Sequence, residues 1–444
     1  MQFYSTNLES ARLGYEEALL RGQAPDRGLY LPAVMPTLSP EEMLAFREMD
    51  YPEIAFCVIR KFVAEEINDQ DLRLMCQDAY NFPVPLEQAG PKSYVMRLDQ
   101  GPTASFKDFA ARMMGRQMAH FLKGKNQNLC ILTATSGDTG SAVANAFFGL
   151  ENIKVVVLFP KDEVTDRQRK QMTTLGRNIQ ILALDAKFDD CQALVKQAFS
   201  DPELASLNLS SANSINIGRL IPQAVYYFYA HSRLSPHQPI TFSVPSGNFG
   251  DMMGGIIAMK MGLPVSRFII AVNENDEFPQ FLNTGEYRKI EPSRNCLSSA
   301  MNVGHPSNLA RLIALYGGHM DEKGLILKPA DMVAMRQQIW SCSVTDEETR
   351  QTIQKAWKEQ NLLLEPHGAV AWNGLARYLQ QAPAEGPFVA IETAHPAKFP
   401  QEINNLLGFD PQLPESLKGI EEKPEHFLNI ESDYHSFKTF LQTQ

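Results

Sequence analysis

Apolar residues recur at helical spacing through Glu9–Leu20, Pro40–Glu48 and Ile54–Phe62. Residues spaced by three and four fall on one stripe of a helix, so residues 1–90 are predicted to form a mainly helical N-terminal domain. The segment Gly28-Leu29-Tyr30-Leu31-Pro32 interrupts the stripes, and the Pro-rich stretch Phe82–Pro91 marks a boundary. Beyond it the period changes. Short apolar runs at Leu129–Ala134, Lys154–Phe159 and Ile179–Leu184 read as strands, each followed by a helix: Ser141–Gly149, Asp166–Leu175 and Asp189–Phe199. A second set comprises a strand at Ile240–Val244, a helix at Asp251–Met261, a strand at Phe268–Val272 and a last strand at Phe388–Ile391. Strands and helices alternating at this spacing predict βαβ units and a parallel sheet, hence an α/β fold. Residues 274–345 are turn-rich and less regular. Thr345–Gln360 reads as a helix, with Thr345 placed to cap it and Glu348 three residues on. The polar stretch 411–444 has room for one short helix.

Open α/β sheets place ligands at the carboxyl ends of their strands. Three motifs fall there. Ser246-Gly247-Asn248-Phe249-Gly250-Asp251 runs from a strand through a two-glycine turn into a helix. Such a turn lets backbone N–H groups converge where the helix dipole is positive, which makes a phosphate cradle out of main chain. The same residues also suit a tight turn that binds nothing. Thr133-Ala134-Thr135-Ser136-Gly137-Asp138-Thr139-Gly140 is a second such junction, crowded with hydroxyls. It suits a carboxylate or phosphate, or helix capping by Ser136, Asp138 or Thr139. Thr393-Ala394-His395-Pro396-Ala397-Lys398-Phe399 is the third. There a threonine hydroxyl is placed to meet a ring nitrogen, while His395, like His367 in Glu365-Pro366-His367-Gly368, suits a structural hydrogen bond at least as well.

Lys107 lies between Phe106 and Phe109 at the start of an apolar helix. Taken alone, a lysine so placed is a surface residue lying over aromatics. Desolvated, its amine has a lowered pKa and becomes a nucleophile. Asp108 would oppose that only if it faced the amine. Asn213 and Arg219, in Asn213-Ser214-Ile215-Asn216-Ile217-Gly218-Arg219, suit an anion contact or a solvated helix start.

Composition narrows the classes. The chain has 444 residues, enough for two or three domains, with 44% hydrophobic and 21% charged residues, as in ordinary globular enzymes. A net charge of −10 argues against nucleic acid and anionic membranes as partners. The six cysteines, Cys57, Cys76, Cys130, Cys191, Cys296 and Cys342, form no CxxC pair. That spacing argues against a bound metal and a disulfide framework, and for free thiols in a reducing compartment. The N-terminus lacks a secretory pattern, and no apolar run approaches a membrane span, so a cytoplasmic enzyme is expected. No GxGxxG follows a strand with an acidic residue about 20 positions on, against a dinucleotide site.

Taken together, GPTASFKDFAAR, TATSGDTGSAVA, SANSINIGRL, SVPSGNFGD, EPHGAVA and TAHPAKF, with DRGLYLP near the start, resemble the threonine synthases of the long bacterial and fungal type over about residues 1–410. The resemblance implies the tryptophan synthase β fold, pyridoxal phosphate fold type II: two α/β domains around a cofactor cleft, with the N-terminal helical domain. Domain boundaries then fall at 91–124 with 206–410 for the large cofactor domain, 125–205 for the small domain with a substrate loop, and 411–444 for an extension. It implies pyridoxal 5'-phosphate as cofactor, with its Schiff-base lysine on Lys107. The phosphate cradle falls on Gly247, Asn248 and Phe249, with Asp251 just after, and the ring-nitrogen partner on Thr393. Substrate residues fall on Thr135, Ser136, Asp138, Thr139, Asn213 and Arg219. The implied substrate is O-phospho-L-homoserine, which loses its γ-phosphate and adds water at the β-carbon to give threonine, in a monomer or homodimer. A phospholyase releasing 2-oxobutyrate, ammonia and phosphate would use the same lysine and cradle, and a non-catalytic relative would keep the fold alone.

Overall fold

A computed structural model describes residues 1–125, 127–135, 137–235, 237–381 and 385–443, the side chain of Asp189 apart. Ser136, expected in the substrate loop, lies outside the described residues. Two sheets organise the chain. The larger has six strands in the order Ile339–Ser343, Val265–Val272, Ile240–Pro245, Phe388–Glu392, Ser93–Arg97 and Leu86–Gln88. All neighbours are parallel except the last pair. Strands of a parallel sheet are covered on both faces and so read as unbroken apolar runs; Ile240–Pro245 is buried along its whole length. Helices Lys107–Leu122, Ala224–Leu234 and Gly250–Lys260 join the main core around Phe242 and Phe268 on one face. Helix Pro366–Gln381 covers the other face with Ala371, Leu375 and Tyr378 against Ile269 and Ala390.

The smaller sheet has five strands, all parallel, in the order Leu428–Ile430, Ile179–Leu184, Ile153–Pro160, Leu129–Ala134 and Leu209–Ser211. Helices Asp138–Phe147 and Asp166–Thr173 lie on one face, and Phe188–Phe199 with Tyr434–Gln442 on the other. The C-terminal stretch therefore supplies an edge strand as well as the expected short helix. Arg169 holds its approach through Glu425 at 2.9 Å.

Several elements depart from the sequence reading. The stripe at Glu9–Leu20 becomes a helix only over Tyr15–Arg21, after an extended Gly14. Leu13 bridges Phe3 instead, and Phe3–Ser5 pairs antiparallel with Tyr30–Pro32, so the first region carries a small two-stranded sheet besides its helices. The turn-rich region 274–345 contains a strand of the main sheet, Ile339–Ser343. It occupies an edge, needs only one well-packed side, and so lacks the apolar run of the central strands. No helix among the described residues is long and apolar enough to cross a membrane.

Candidate active site

One cavity opens between the two sheets. It is lined from the large unit by Lys107, Asn213, Arg219, Gly247, Asn248, Phe249, Asp251 and Thr393, and from the small unit by Thr135, Asp138 and Thr139. Every described residue of the expected site therefore meets at one place, drawn from segments up to 286 positions apart (107 to 393). Phe188, Gln192, Ser214, Gln223, His367 and the 299–303 turn complete the wall; of these only His367 is marked in the sequence, and there a structural hydrogen bond suits it at least as well.

Lys107 is the first residue of its helix. The preceding loop is pinned to the end of strand Phe388–Glu392: Phe106 N–H donates to Thr393 O at 2.8 Å, and His395 N–H to Ala104 O at 3.0 Å. That pairing fixes the lysine beside Thr393. Asp108 turns away, accepting from Thr103 N–H at 2.8 Å and the Thr103 hydroxyl at 2.6 Å. Gly101 is required by the same turn, since a Cβ there would lie 2.4 Å from Asp108 Oδ2. Among the described residues Lys107 Nζ has neither a hydrogen-bond nor an ion-pair partner; it sits 4.6 Å from the centre of the Phe106 ring. Burial lowers its pKa, against the pull of Asp138 and with help from Lys398 and Arg219.

The Gly247 turn is shaped for close approach. Ser246 N–H donates to Ala271 O at 2.9 Å, while the N–H groups of Gly247, Asn248 and Phe249 find no partner among the described residues. Phe249 caps the following helix in the left-handed region at φ 63°, unusual for a bulky residue and costly unless its surroundings enforce it. Its ring is held edge-on against Phe278, 4.9 Å away. A Cβ on Gly247 would meet Met301 Cα at 2.8 Å. Asn248 is locked by Ser307 N–H donating to Oδ1 at 3.1 Å and by Asn308 donating to its carbonyl at 2.9 Å. Asp251 Oδ1 accepts from the hydroxyls of Tyr226 and Tyr227 at 2.6 and 2.7 Å, and its Oδ2 is buried without a partner. Burial pushes this carboxyl up to about 6, with the two tyrosines opposing.

Across the cavity, Arg219 is almost wholly buried, donates to Ala212 O, and leaves Nε unpaired. Burial pushes its pKa down to about 10. Asn213 Oδ1 accepts from the Thr133 hydroxyl at 2.5 Å, which leaves its amide N–H groups available. In the hydroxyl-rich loop the capping role falls to Thr135, not to Asp138 or Thr139: Thr135 Oγ1 accepts from Gly137 N–H at 2.9 Å and Gly140 N–H at 2.8 Å. Asp138 bonds Gln168 at 3.0 Å and Lys398 at 2.5 Å. Its burial would raise the pKa, but Lys398 and Lys107 outweigh that and hold the carboxyl well below its ordinary value. Lys398 is fully buried and also donates to Thr103 O at 3.0 Å. His395 Nδ1 accepts from Ala397 N–H at 3.1 Å and does not line the cavity.

The site thus fits pyridoxal phosphate on its own chemistry. An unpartnered amine stands beside a crowded turn with three unspent backbone donors, and a strand-end hydroxyl lines the same cavity. Among the described residues no cluster suited to a metal occurs. Comparison with known proteins agrees. A family model described as "Pyridoxal-phosphate dependent enzyme" matches residues 79–393; models of the threonine synthase N terminus and C-terminal region match 2–80 and 368–441. This is the class that the cavity defines. The threonine synthase of Escherichia coli K12 is 37% identical over 99% of both chains. The crystal structure of PLP-bound threonine synthase from Brucella melitensis superposes with a TM-score of 0.93 at 36% identity, covering 100% of this chain and 99% of that one. Yeast threonine synthase superposes at 0.90 with 30% identity, covering 99% and 98%. The chain belongs to the threonine synthase family of pyridoxal-phosphate-dependent lyases, with the tryptophan synthase β-like fold.

Proposed function

We propose that the protein converts O-phospho-L-homoserine and water into L-threonine and phosphate, with Lys107 as its catalytic residue. One observation carries this reading: a single cavity sets an unpartnered amine between two separate anion sites, the Gly247–Phe249 turn and the Arg219 guanidinium. One anion site serves the cofactor phosphate. A second one, with a buried guanidinium, calls for a substrate that carries a phosphate of its own.

When bound, pyridoxal phosphate supplies an electron sink that stabilises negative charge at the substrate α-carbon. Lys107 would hold it covalently, Gly247, Asn248 and Phe249 its phosphate, and Thr393 its ring nitrogen, with Asp251 bracing the cradle through Tyr226 and Tyr227. The chain does the rest. Lys107 Nζ, its neutral form favoured by burial, takes the α-proton and moves protons at the β- and γ-carbons. Arg219 and Asn213 hold the γ-phosphate as its C–O bond breaks. Thr135 and Thr139, with Ser136 of the same sequence motif, bind the substrate carboxylate, and Asp138, paired with Lys398, keeps that loop on the large unit. The two units are taken as 91–124 with 206–410, and 125–205, with strands Leu209–Ser211 and Leu428–Ile430 joining the sheet of the second; closing the second on the first excludes water until the addition step. The six thiols, all free, support a cytoplasmic setting, and the chain is taken as a monomer or homodimer.

A phospholyase would share every one of these residues, so the products decide. Incubation with O-phosphohomoserine is expected to yield threonine and phosphate in equal amounts. Phosphate accompanied by 2-oxobutyrate and ammonia would overturn the assignment.

A further inference from the structure

A buried pair of carboxylates stands behind Thr393. Glu365 is fully buried and every one of its acceptor positions is taken. Oε2 accepts from His367 N–H at 2.8 Å and from His367 Nδ1 at 2.6 Å; Oε1 accepts from Gly368 N–H at 3.0 Å and from the Thr393 hydroxyl at 3.2 Å. His367 Nε2 in turn accepts from Ala300 N–H at 3.1 Å, which puts the ring proton on Nδ1 and aims it at Glu365. The neighbouring Glu392 accepts from Glu365 N–H through Oε1 at 2.8 Å, and its Oε2 has no partner. Burial drives the Glu392 carboxyl well above its ordinary range; Arg97 opposes this and Glu365 reinforces it. Three N–H groups converge on Glu365 and only one on Glu392, so the hydrogen bonds suit an ionised carboxylate at Glu365.

This arrangement settles what Thr393 can offer. A carboxylate accepts and cannot donate, so the 3.2 Å contact consumes the only proton of the Thr393 hydroxyl. What remains on that oxygen is lone pairs. A neutral ring nitrogen is itself an acceptor and would face another acceptor. A protonated ring nitrogen would find an acceptor with a buried negative charge behind it.

We propose that Glu365 is a positioning residue which, acting through Thr393, makes this site select the protonated form of the cofactor's ring nitrogen. The inference rests on the reading above, in which Thr393 meets that nitrogen. A hydroxyl alone would leave the ring free to be neutral; Glu365 converts it into the relay of a carboxylate and so deepens the electron sink at the substrate α-carbon.

The test is nitrogen-15 solid-state NMR of holoprotein reconstituted with ring-labelled pyridoxal phosphate. The wild-type resonance is expected in the pyridinium range. In Glu365→Gln it shifts to the neutral-pyridine range while the visible band of the Lys107-bound cofactor and its trapping by borohydride persist. Thr393→Val gives the same shift, and Thr393→Ser, which keeps the hydroxyl, restores the wild-type position. A neutral-range resonance in the wild type, or no shift in Glu365→Gln, overturns the proposal. If Glu365→Gln does not fold, the Thr393→Val and Thr393→Ser pair decides alone: equal resonances in the two refute it. Failure of the wild type to bind cofactor at Lys107 is a separate result, and refutes the underlying reading as well.

Discussion

Replacing Arg219 with alanine probes the second anion site. Its guanidinium is 3% exposed and carries five N–H donors, of which one bonds Ala212 O and Nε is buried with no partner. Buried donors left unpaired cost about 1–3 kcal/mol each, so the empty site favours the arrival of an acceptor. A planar guanidinium meets phosphate with two parallel bonds, each worth about 1.5–3 kcal/mol when charge-assisted. Losing both removes about 3–6 kcal/mol, roughly 10²- to 10⁴-fold in kcat/KM. Burial leaves Arg219 with a pKa near 10, so the group stays charged throughout the neutral range and the loss is the same from pH 6 to 8. Steady-state phosphate release measures the substrate side, and a fluorescence titration of the apoprotein measures cofactor binding. Cofactor affinity is expected to change less than about threefold, well under 1 kcal/mol. Arg219→Lys keeps the charge, loses the fork and falls between the two. Equal losses for substrate and cofactor, or a KM within a factor of two of wild type, would refute the reasoning.

Four further outcomes follow from the same geometry. Lys107→Ala is expected to abolish borohydride-trappable cofactor and all turnover; in the wild type, because burial lowers the lysine's pKa, the rate of cofactor linkage reaches half its maximum below pH 10.5, the ordinary lysine midpoint, and a midpoint at or above it contradicts a desolvated amine. Asp138→Asn leaves the Lys398 ammonium buried without its counter-ion and is expected to cost about 3–5 kcal/mol in urea unfolding at pH 7. Asp138 has a depressed pKa in the folded state, so its contribution is complete above the unfolded carboxyl range and is lost as pH falls through the folded value; the gap between wild type and variant should narrow only in acid. Gly247→Ala places a Cβ 2.8 Å from Met301 Cα and 2.9 Å from Ala300 O, both main chain, and is expected to weaken cofactor binding by at least about tenfold, or 1.4 kcal/mol. Closure of the small unit predicts slower proteolysis within 125–205 when a non-hydrolysable phosphonate analogue of the substrate is present, and an unchanged cleavage rate counts against it.

Much of the site is legible in the chain because its chemistry is local. The Gly247 turn, the hydroxyl-rich loop and the Lys107 segment each need their residue types within about ten positions, at a strand end or helix start. Central strands such as Ile240–Pro245 and Leu129–Ala134 are legible for the same reason: burial on both faces demands an unbroken apolar run. What the sequence hides is long-range. Glu365 meets Thr393 across 28 positions, and Lys398 meets Asp138 across 260 (398 − 138). A glutamate before a proline and a lysine after a strand carry no local mark of burial. Lys398 stands within the Thr393–Phe399 motif, but spacing along the chain cannot show its pairing with an aspartate near the lysine nucleophile. Edge strands fail for the opposite reason. Leu86–Gln88 and Ile339–Ser343 are partly exposed, so their composition resembles that of the turns around them. At Leu13 the hydrophobic stripe was real, but a bridge to Phe3 rather than a helix face buries that residue.

The central claim is that one cavity breaks the substrate's γ-carbon–oxygen bond and adds water at the β-carbon. Turnover of O-phosphohomoserine in water enriched in oxygen-18, read by mass spectrometry of both products, tests it most directly. Elimination by carbon–oxygen cleavage predicts phosphate with no heavy oxygen and threonine carrying one heavy atom in its hydroxyl group. Labelled phosphate beside unlabelled homoserine would mean attack at phosphorus, and unlabelled phosphate beside 2-oxobutyrate would mean elimination without hydration; either contradicts the account.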